Sequence, residues 1–579
     1  MIASFLPQLP TSNRFPRMFP NLSTAVNAFR GPMRERTAIL SLFVLAAALI
    51  LPAAYVGIPE NYDLGQHLRF ARTWHEAIGS GAIIPSWGAA DNEGLGSAGV
   101  RFYPPATHFV MAVLQFGTGS WYDTLWLMML IWMFVGSVGV FKLANEWSSV
   151  PVSYCSAVLY AIVPYHLLQV FQAFLLAEFT AAAILPFCFL YAHRLITKGG
   201  SANVLLFAVA YSGLILTHIP TTIFGTLSLS VFILGFLSPE NLARSIKQFA
   251  TAGVFAVATT SFYWVRMVTE LSWIKHNTPQ YYASGVYTYS TYFFPMFYSA
   301  GEVYLPRFLW LFDICIVVTY ALFIPSLIVL IKKRFEAPRH MLAMVGVAGF
   351  ALFMMSAASS PIWDNISLIQ KLQFPYRWLS PASLAAALLF PIGVAALVER
   401  RVEITRPFAY SLALIITAVI VLDVSQIIVP SAPVPRSAFA KTVDTLDEIP
   451  ACDCWWPIWA TSDALKHVGR IGGTDRTFAV SKWDSSERHV IVGEGSASEI
   501  VVGTFYYPYW RATVNESPVE VSKNAEGLIQ IPVPTHNPAN VVLEFREPTL
   551  AIYSRFFSAA MILTLLGWLL VQLSRRFMG

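Results

Sequence analysis

Long runs of apolar residues recur along almost the whole chain. The first run of spanning length covers residues 37–57, and eleven others follow at 122–143, 150–166, 172–195, 202–218, 219–237, 247–268, 307–331, 339–356, 379–398, 408–429 and 551–571. A helix needs about 20 residues to cross the hydrocarbon core of a bilayer, and about 17 in short cases. The pattern therefore predicts an all-α polytopic membrane protein with about twelve transmembrane helices.

A shorter apolar run at 104–118 begins with two prolines, and the loop charges indicate whether it crosses the membrane. If it does not cross, every basic loop cluster falls on the side of the arginine-rich N-terminus, as the positive-inside bias requires. These clusters are Arg194/Lys198, Arg244/Lys247, Lys332/Lys333/Arg334/Arg339, Arg400/Arg401/Arg406 and Arg575/Arg576. We therefore expect 104–118 to lie along the outer interface, and both termini to lie in the cytoplasm.

This topology divides the chain into segments with different surroundings. They are a basic cytoplasmic N-terminus at 1–36, a transmembrane core at 37–429 with an outer loop at 58–121, a periplasmic domain at 430–550, and a last transmembrane helix with a cytoplasmic tail at 551–579. Within the periplasmic domain, residues 476–550 contain short β-branched segments separated by turn residues. This spacing is typical of a small antiparallel β-sandwich.

Composition agrees with a membrane protein. Of the 579 residues, 56% are hydrophobic and only 12% are charged, and the mean hydropathy is +0.57. A soluble domain carries about 25% charged residues, so the composition disfavours a soluble enzyme, a disordered protein and a fibrous protein. The formal net charge of +5 is too small to indicate a nucleic-acid partner.

The five cysteines do not form the framework of a disulfide-rich domain. Cys452 and Cys454 are separated by one residue, which we expect to be too close for a relaxed mutual disulfide. No histidine stands near them at the spacing of a metal site. We therefore interpret this pair as structural or incidental.

The outer loop at 58–121 holds the densest set of polar residues that need an explanation. Asp63 and His67 are four residues apart, so they share one face of a predicted helix. This helix begins one or two turns beyond the first span, and the Asp63 carboxylate either faces a lipid-borne substrate there or is simply solvated. Arg101 is a forked cation at the membrane surface, suited to a phosphate or to lipid headgroups in general.

Three further polar residues lie in or next to predicted spans. Glu178 falls in the outer third of the span at 172–195, and an intramembrane acid normally faces a bundle interior or a wet cavity, or pairs with a cation. His218 lies at an outer hairpin between two spans, where a lone histidine is more often a structural hydrogen-bonding group than a catalyst. Arg377 lies among aromatic residues at the outer interface, where it either snorkels or captures a lipid phosphate.

The sequence contains no P-loop, no dinucleotide-binding glycine motif, no H-E-x-x-H and no G-x-S-x-G. ATP-driven pumping therefore has no support in this chain. The two halves show no clear repeat, which weakens the hypothesis of a secondary transporter.

A series of short motifs, each weak alone, resembles a known family over nearly the whole chain. The motifs are G-x-x-x-P-x-W (81–87), N-E-G-L-G (92–96), F-Y-P-P (102–105), A-E-F (177–179), T-H-I-P (217–220), F-P-Y-R-W (374–378) and Y-Y-P-Y-W (506–510). The sequence resembles bacterial YfhO-type membrane proteins, also named pyruvoyl-tetrahydropterin synthase-related, which look like members of the GT-C class of glycosyltransferases. It lacks the histidine cluster with which a soluble pterin synthase binds zinc.

The resemblance implies a GT-C-like core in the bacterial inner membrane, working at its outer face. Such an enzyme takes a sugar from a polyprenyl-phosphate donor and passes it to an envelope glycan or lipid acceptor. It also implies a catalytic base at Asp63 and cations at Arg377 and Arg101 that hold the donor phosphate. We expect five further residues to bind the substrate with them: His67, Tyr103, Glu178, His218 and Tyr376.

Many GT-C enzymes carry two adjacent acids in the first outer loop, whereas here Leu64 follows Asp63. This difference favours a base that works without a metal, and we expect no cofactor. Two other hypotheses remain open. The protein could handle lipid-linked glycans without cleaving them, as a flippase or an assembly partner, or it could be a structural protein of the envelope.

Overall fold

The computed structural model describes residues 33–60, 62–278, 288–296, 306–333, 337–399, 406–466, 469–472 and 475–578. Most of the predicted basic N-terminus at 1–36 lies outside the described residues, as do Arg334, Arg400 and Arg401 of the predicted loop clusters.

Helices form most of the described chain. In order they are α1 (Glu35–Val56), α2 (Tyr62–Gly79), α3 (Ala106–Thr118), α4 (Trp121–Ala144), α5 (Val150–Ala161), α6 (Pro164–Phe171), α7 (Leu176–Thr197), α8 (Ser201–Thr217), α9 (Ile219–Leu234), α10 (Pro239–Thr259), α11 (Ser261–Glu270), α12 (Pro306–Ala321), α13 (Ile324–Lys333), α14 (Arg339–Met355), α15 (Ser360–Asn365), α16 (Ser367–Gln370), α17 (Leu379–Glu399), α18 (Arg406–Ile428), α19 (Arg436–Asp444) and α20 (Thr549–Met578).

Among the described residues, eight helical segments are long and apolar enough to cross a membrane. They are Glu35–Val56, Trp121–Ala144, Val150–Phe171, Leu176–Thr197, Trp310–Lys332, Pro375–Glu399, Tyr410–Ile428 and Thr549–Gln572. Three shorter apolar helices, α8, α9 and α14, account for the predicted spans at 202–218, 219–237 and 339–356. The predicted span at 247–268 falls instead on two helices, α10 and α11, with a break at Thr260.

The outward faces of several long helices are apolar. Leu40 of α1, Leu414 of α18 and Phe556 of α20 expose 66–71% of their surface. Apolar faces of this size need lipid rather than water as their surroundings. The protein is therefore a membrane protein with most of its helical core formed by apolar helices.

Contacts at the helix ends show how the first outer loop is arranged. The Tyr122 hydroxyl, at the start of α4, donates to the carbonyl oxygen of Ala53 near the end of α1 at 2.9 Å. At the opposite end of the same helices, Lys142 pairs with Glu35. The two helices are thus antiparallel, and the chain between them, which includes α3 and the run at 104–118, leaves and returns at one end of the bundle.

The segment before the last helix forms a β-domain of two antiparallel sheets. The strands are β3 (Ile471–Gly472), β4 (Phe478–Trp483), β5 (Glu487–Val492), β6 (Glu499–Phe505), β7 (Trp510–Val514), β8 (Ser517–Val519), β9 (Ser522–Lys523), β10 (Leu528–Pro532) and β11 (Ala539–Phe545). One sheet has the order β3-β6-β10-β9 and the other β4-β5-β11-β7-β8. Alternate residues of β5 and β11, and most residues of β6 and β10, are buried in one shared core, so the predicted β-sheets are confirmed.

A short β-pairing ties the helical core to the segment leading into the β-domain. Strand β1 (Ile58–Pro59), just after α1, pairs with β2 (Pro433–Val434), just after α18. Gly57 makes this approach possible, because a Cβ atom there would lie 2.7 Å from the carbonyl oxygen of Val434. The pairing fixes where α2 begins.

The two neighbouring cysteines have a structural role, as one of the two interpretations of the sequence allowed, but through a bond to each other that their spacing disfavoured. Cys452 and Cys454 form a disulfide, and their Cα atoms lie 5.2 Å apart. This distance is within the range that a disulfide spans, because the chain turns through a 3₁₀ helix at Asp453–Trp455. Spacing in sequence alone did not reveal this turn.

Candidate functional site

Asp63 lies in the first turn of α2, immediately beyond the end of α1. Its side chain is exposed, and no described residue donates a hydrogen bond to its carboxylate. Protein atoms packed around this accessible carboxylate displace part of its water and raise the pKa of Asp63 to about 6, although the nearby charge of Arg377 lowers it. The result is an accessible carboxylate with a pKa closer to neutrality than usual.

His67 follows one helical turn later and is held by a second histidine. Its Nδ1 lies 2.9 Å from Nε2 of His108 on α3, and the two rings stack. Burial lowers the pKa of His67 to about 4, so its ring is neutral at pH 7. The ring of Tyr103 packs edge-on against both histidines. This arrangement leaves Nε2 of His67 free to contact a ligand.

Arg377 lies on a 3₁₀ turn, Pro375–Trp378, that leads into α17. Its Nη1 donates to the carbonyl oxygen of Leu372 at 2.8 Å and to Oε1 of Gln373 at 3.3 Å. Its Nε lies 3.2 Å from Oε2 of Glu178, and the ring of Phe374 packs against the guanidinium. Within the described chain, Nη2 has no hydrogen-bond partner and is not buried.

Glu178 anchors Arg377 from the first turn of α7. The Tyr165 hydroxyl and the Gln169 amide, one turn apart on α6, both donate to its Oε1, the amide at 3.2 Å. The carboxylate is therefore used as a structural support for the guanidinium. Sequence reasoning missed both donors, although their spacing of four residues places them on one helix face.

The structure brings seven of the eight residues predicted for the site into one neighbourhood. The charge of Arg377 acts on Asp63, Tyr103 and His218, and that of Asp63 acts on Tyr103 and Tyr376. We call this set the Asp63 site; it consists of Asp63, His67, Tyr103, Glu178, His218, Tyr376 and Arg377.

Most members of the Asp63 site have a polar atom that makes no hydrogen bond with the described part of the protein. In the described chain no hydrogen bond is made by the Asp63 carboxylate, Nε2 of His67 or His218, the hydroxyls of Tyr103 and Tyr376, or Nη2 of Arg377, and none of these atoms is fully buried. His218 uses its Nδ1 on Thr221, at 2.7 Å from the hydroxyl. Such a convergence of accessible, unpaired groups suits a ligand rich in oxygen atoms.

Arg101 is the residue that does not join this set. Its five N–H groups are all taken: two by Glu270 at 2.6 Å each, two by Glu547 at 2.7 and 3.0 Å, and one by the carbonyl oxygen of Ser86 at 3.2 Å. The Tyr507 hydroxyl also donates to Glu270 at 2.6 Å. We call Arg101, Glu270, Glu547 and Tyr507 the Arg101 cluster. This placement contradicts the prediction that Arg101 holds a donor phosphate, since no donor remains for one.

Two aromatic side chains that sequence reasoning missed border the Asp63 site. Trp455 packs against Tyr103 with ring centroids 5.8 Å apart, and His276 stacks on Trp455 at 4.8 Å. The charge of Arg377 acts on His276. Trp455 belongs to the turn closed by the disulfide, and no local pattern marks it. In the described residues, no three His, Cys, Asp or Glu side chains meet in an arrangement that could hold a metal ion.

Three solved structures that this chain resembles show a low similarity to it. ArnT from Cupriavidus metallidurans bound to undecaprenyl phosphate is 13% identical, with 72% of this chain and 75% of that chain covered and a TM-score of 0.39. The arabinofuranosyltransferase AftD from Mycobacteria is 16% identical, with 72% and 29% covered and a TM-score of 0.42.

The oligosaccharyltransferase of Archaeoglobus fulgidus in its apo form is 14% identical, with 72% of this chain and 60% of that chain covered and a TM-score of 0.41. This chain thus spans only part of the length of AftD and of the oligosaccharyltransferase. Identities and TM-scores this low transfer neither activity nor substrate. None of the curated protein sequences matches this chain.

A family model matches residues 100–431, which is more than half of the chain and includes most of the helical core. The matched region contains Tyr103, Glu178, His218, Tyr376 and Arg377 of the Asp63 site, whereas Asp63 and His67 precede it. The chain therefore belongs to the family of membrane proteins described as containing a 6-pyruvoyl-tetrahydropterin synthase related domain.

Proposed function

We propose that this protein is a membrane glycosyltransferase of the GT-C kind. It transfers a sugar from a polyprenyl-phosphate donor to an acceptor of the bacterial cell envelope, at the outer face of the inner membrane. The observation that supports this proposal best is the pairing, within one site, of an accessible carboxylate on Asp63 and a guanidinium on Arg377 that keeps one nitrogen unpaired.

The chemical step needs a base and a group that stabilises the leaving phosphate. The acceptor hydroxyl oxygen forms a bond to the anomeric carbon as the bond from that carbon to the phosphate oxygen breaks. Asp63 takes the hydroxyl proton, and its raised pKa makes it a better base than an ordinary aspartate. Arg377 donates from Nη2 to the phosphate oxygen on which negative charge develops.

The remaining members of the site hold and orient the sugar. His67 is neutral, and the contact between its Nδ1 and His108 fixes the orientation of its ring, so Nε2 presents one defined hydrogen-bonding group. His218 does the same through Thr221. The hydroxyls of Tyr103 and Tyr376 each donate or accept as the sugar requires.

The site lies at a suitable level for a lipid-linked substrate. Asp63 follows the end of α1, at the end of the bundle opposite to the Lys142–Glu35 pair. Arg194 and Lys198, at the end of α7, pair with Glu146 just after α4, which places these cations together at that opposite end. We propose that this cationic end is cytoplasmic and that about twelve helices cross the membrane, so the Asp63 site and the β-domain face the periplasm.

The test is mass spectrometry of lipid-linked sugars and envelope glycans in a deletion strain, complemented by the wild type, by Asp63→Asn or by Asp463→Asn. Asp463 is an exposed surface aspartate whose ion pair among the described residues is with Lys466, three residues later, so its substitution is the matched control. We expect the wild type and the control to restore one glycan product, and Asp63→Asn to restore none while inserting at normal levels.

Two results would overturn the proposal. One is full complementation by Asp63→Asn, which would remove the base from the mechanism. The other is a set of glycans identical in the deletion and wild-type strains, combined with binding of polyprenyl-linked glycan by the purified protein. That result would favour a flippase or assembly protein.

A further inference from the structure

A large cleft lies between the far end of α2 and the β-domain, away from the Asp63 site. Its volume is about 850 Å³, which is in the range of sites for small organic ligands. One wall comes from α2 and the loop at 82–95, and the other comes from β4, β5 and the turn that joins them. Glu76 of this cleft lies thirteen residues after Asp63 on the same helix, so the two are about 20 Å apart along its axis.

The two walls differ in charge and in how far that charge is compensated. Glu76 and Glu93, on the α2 side, make no hydrogen bond or close ion pair with any described residue, although the charge of Arg72 acts on Glu76 from a greater distance. On the β-domain side, Lys482 pairs with Asp484 at 3.4 Å and also with Glu487. Arg470, which lies over the ring of Trp483, has no acidic partner among the described residues. The cleft thus presents two unpaired carboxylates against one unpaired guanidinium.

Glu93 reaches the cleft through a strained turn that is held from behind. Asn92 and Glu93 both adopt a left-handed conformation with φ of 57°, which is costly for residues other than glycine. The buried Asn92 amide holds the turn: Nδ2 donates to the carbonyl oxygen of Gly96 at 2.9 Å, while Oδ1 accepts from Ala451 N and from Trp456 Nε1. In this loop Asn92 therefore fastens the turn, and Glu93 is presented to the cleft.

We propose that this cleft binds an oligosaccharide without acidic groups, as a subsite for the part of the acceptor that is remote from the reacting hydroxyl. Carboxylates accept hydrogen bonds from neighbouring sugar hydroxyls, and the guanidinium donates to ring and hydroxyl oxygens. The excess of unpaired carboxylates repels uronic acids and phosphorylated sugars. The assignment of the glycan as acceptor rests on the proposed function, whereas binding of the glycan does not.

Separation from the Asp63 site determines what this subsite contributes. A sugar held about 20 Å from Asp63 is not the one that reacts. Contacts this far from the reacting atoms hold the acceptor equally well in the ground state and in the transition state, so they contribute to capture of the acceptor. Substitutions in the cleft should therefore raise the KM for a long acceptor and leave kcat unchanged.

The experiment uses the full-length protein in detergent on an array of immobilised oligosaccharides: neutral chitin and glucan oligomers, basic chitosan oligomers and acidic polygalacturonate oligomers. The variants are Glu76→Gln with Glu93→Gln, and Glu516→Gln as the matched control. Glu516 is an exposed glutamate with a φ of 68° on the turn between β7 and β8, and it does not line the cleft.

We expect binding to neutral or basic oligomers that falls at least tenfold in the double variant and is unchanged in the Glu516→Gln control. Any of three results would overturn the inference. They are no binding to any neutral or basic oligomer, a preference for the acidic oligomers, and binding that the double substitution does not change. Asp63→Asn separates the two proposals: it should bind glycan normally while transferring no sugar. Loss of transfer with intact glycan binding supports both, and intact transfer in that variant overturns the proposed function alone.

Discussion

Two buried arginines of this protein occupy opposite kinds of surroundings. Arg101 donates all five of its N–H groups to its own chain, chiefly to two carboxylates that come from α11 and from the residues before α20. Arg377 is held by Glu178 and by carbonyl and amide oxygens on its own turn, yet its Nη2 stays accessible and unpaired. Both are forked cations near aromatic residues, and only the second can accept a ligand.

The difference separates a cation that holds the fold from one that is available for chemistry. The Arg101 cluster joins the first outer loop, the helical core and the β-domain, because Glu270 ends α11, Glu547 follows β11 and Tyr507 lies between β6 and β7. In the Asp63 site, contacts with the rest of the protein fix the positions of the side chains. The polar atoms that face outward have no partner among the described residues. Counting the unused donors and acceptors therefore distinguishes the two roles better than residue type does.

The largest expected effect is on the Arg101 cluster. Arg101→Met leaves the fully buried Glu270 without its cationic partner and leaves Glu547 with Arg555 as its ion-pair partner, and removing one partner of a buried ion pair costs about 3–5 kcal/mol. We expect a large fall in yield and in the unfolding temperature of the detergent-solubilised protein. The control Arg546→Met breaks an exposed pair with Glu544, worth about 0–1 kcal/mol. An equal, small effect of both substitutions would mean that Arg101 is not a structural anchor.

Asp63 should behave in the opposite way, because its substitution removes activity and not stability. We expect Asp63→Asn to lower transfer by about 100-fold or more, as the loss of a general base does. The pKa of Asp63 is raised to about 6, so the wild-type rate should fall about tenfold per pH unit below about 6, where the base is protonated. A rate–pH profile of purified protein in detergent measures this, and a flat profile between pH 5 and 7 would contradict the assignment.

The raised pKa of Asp63 also predicts how the stability of the folded protein changes with pH. The folded protein holds the Asp63 proton more tightly than the unfolded chain, so the ionised carboxylate disfavours folding above about pH 6, and this penalty disappears below about pH 4. Asp63→Asn should therefore unfold at an equal or higher temperature than the wild type at pH 7.5, and at the same temperature near pH 4. A marked loss of stability at pH 7.5 would indicate a structural role for Asp63.

A smaller effect is expected for Arg377→Lys. Lysine keeps the positive charge and loses the planar fork, so the contact with phosphate weakens by about 1.5–3 kcal/mol, or roughly 10–100-fold. Binding of a polyprenyl phosphate, followed by native mass spectrometry, measures this loss. Arg101→Lys should not change the affinity for polyprenyl phosphate, measured on the fraction of that variant that folds. An affinity that depends on Arg101 and not on Arg377 would reverse the comparison.

The smallest effect should come from the disulfide. Replacing Cys452 and Cys454 together by serine frees the turn that carries Trp455, which packs against Tyr103 at the edge of the Asp63 site. We expect a change of less than about tenfold in transfer and little change in yield, because the loop closed by this disulfide is very short. Complete loss of activity would show that Trp455 takes part in the site itself.

Much of the fold followed from local pattern. The strand segments at 488–492, 499–505 and 541–545 lie in β5, β6 and β11, because runs of β-branched residues and, in β5 and β11, alternation of buried and less buried positions are properties of neighbouring residues. Helix boundaries inside the membrane were less predictable: the run at 247–268 is divided at Thr260 between α10 and α11. Apolar residues continue through that break, so hydrophobicity alone could not locate it.

The candidate site was predictable to the extent that each residue lies near a helix end. Asp63, Glu178 and Arg377 all stand in or beside the first turn of a helix, at the level where spans end, and this level can be read from the apolar runs. Trp455 and His276 could not be found in this way. They reach the site through a disulfide-closed turn and a 3₁₀ segment whose positions depend on the packing of the β-domain against the core.

The sequence by itself determined that this chain lies in a membrane, that a β-domain precedes its last helix, and which polar residues stand near span ends. It could do so because the cost of placing a polar side chain in hydrocarbon is set residue by residue. Only the tertiary structure decided which arginine remains available to a ligand. The partners of Arg101 lie 169 and 446 residues away in sequence, and no local pattern can show that such distant carboxylates have already taken every donor.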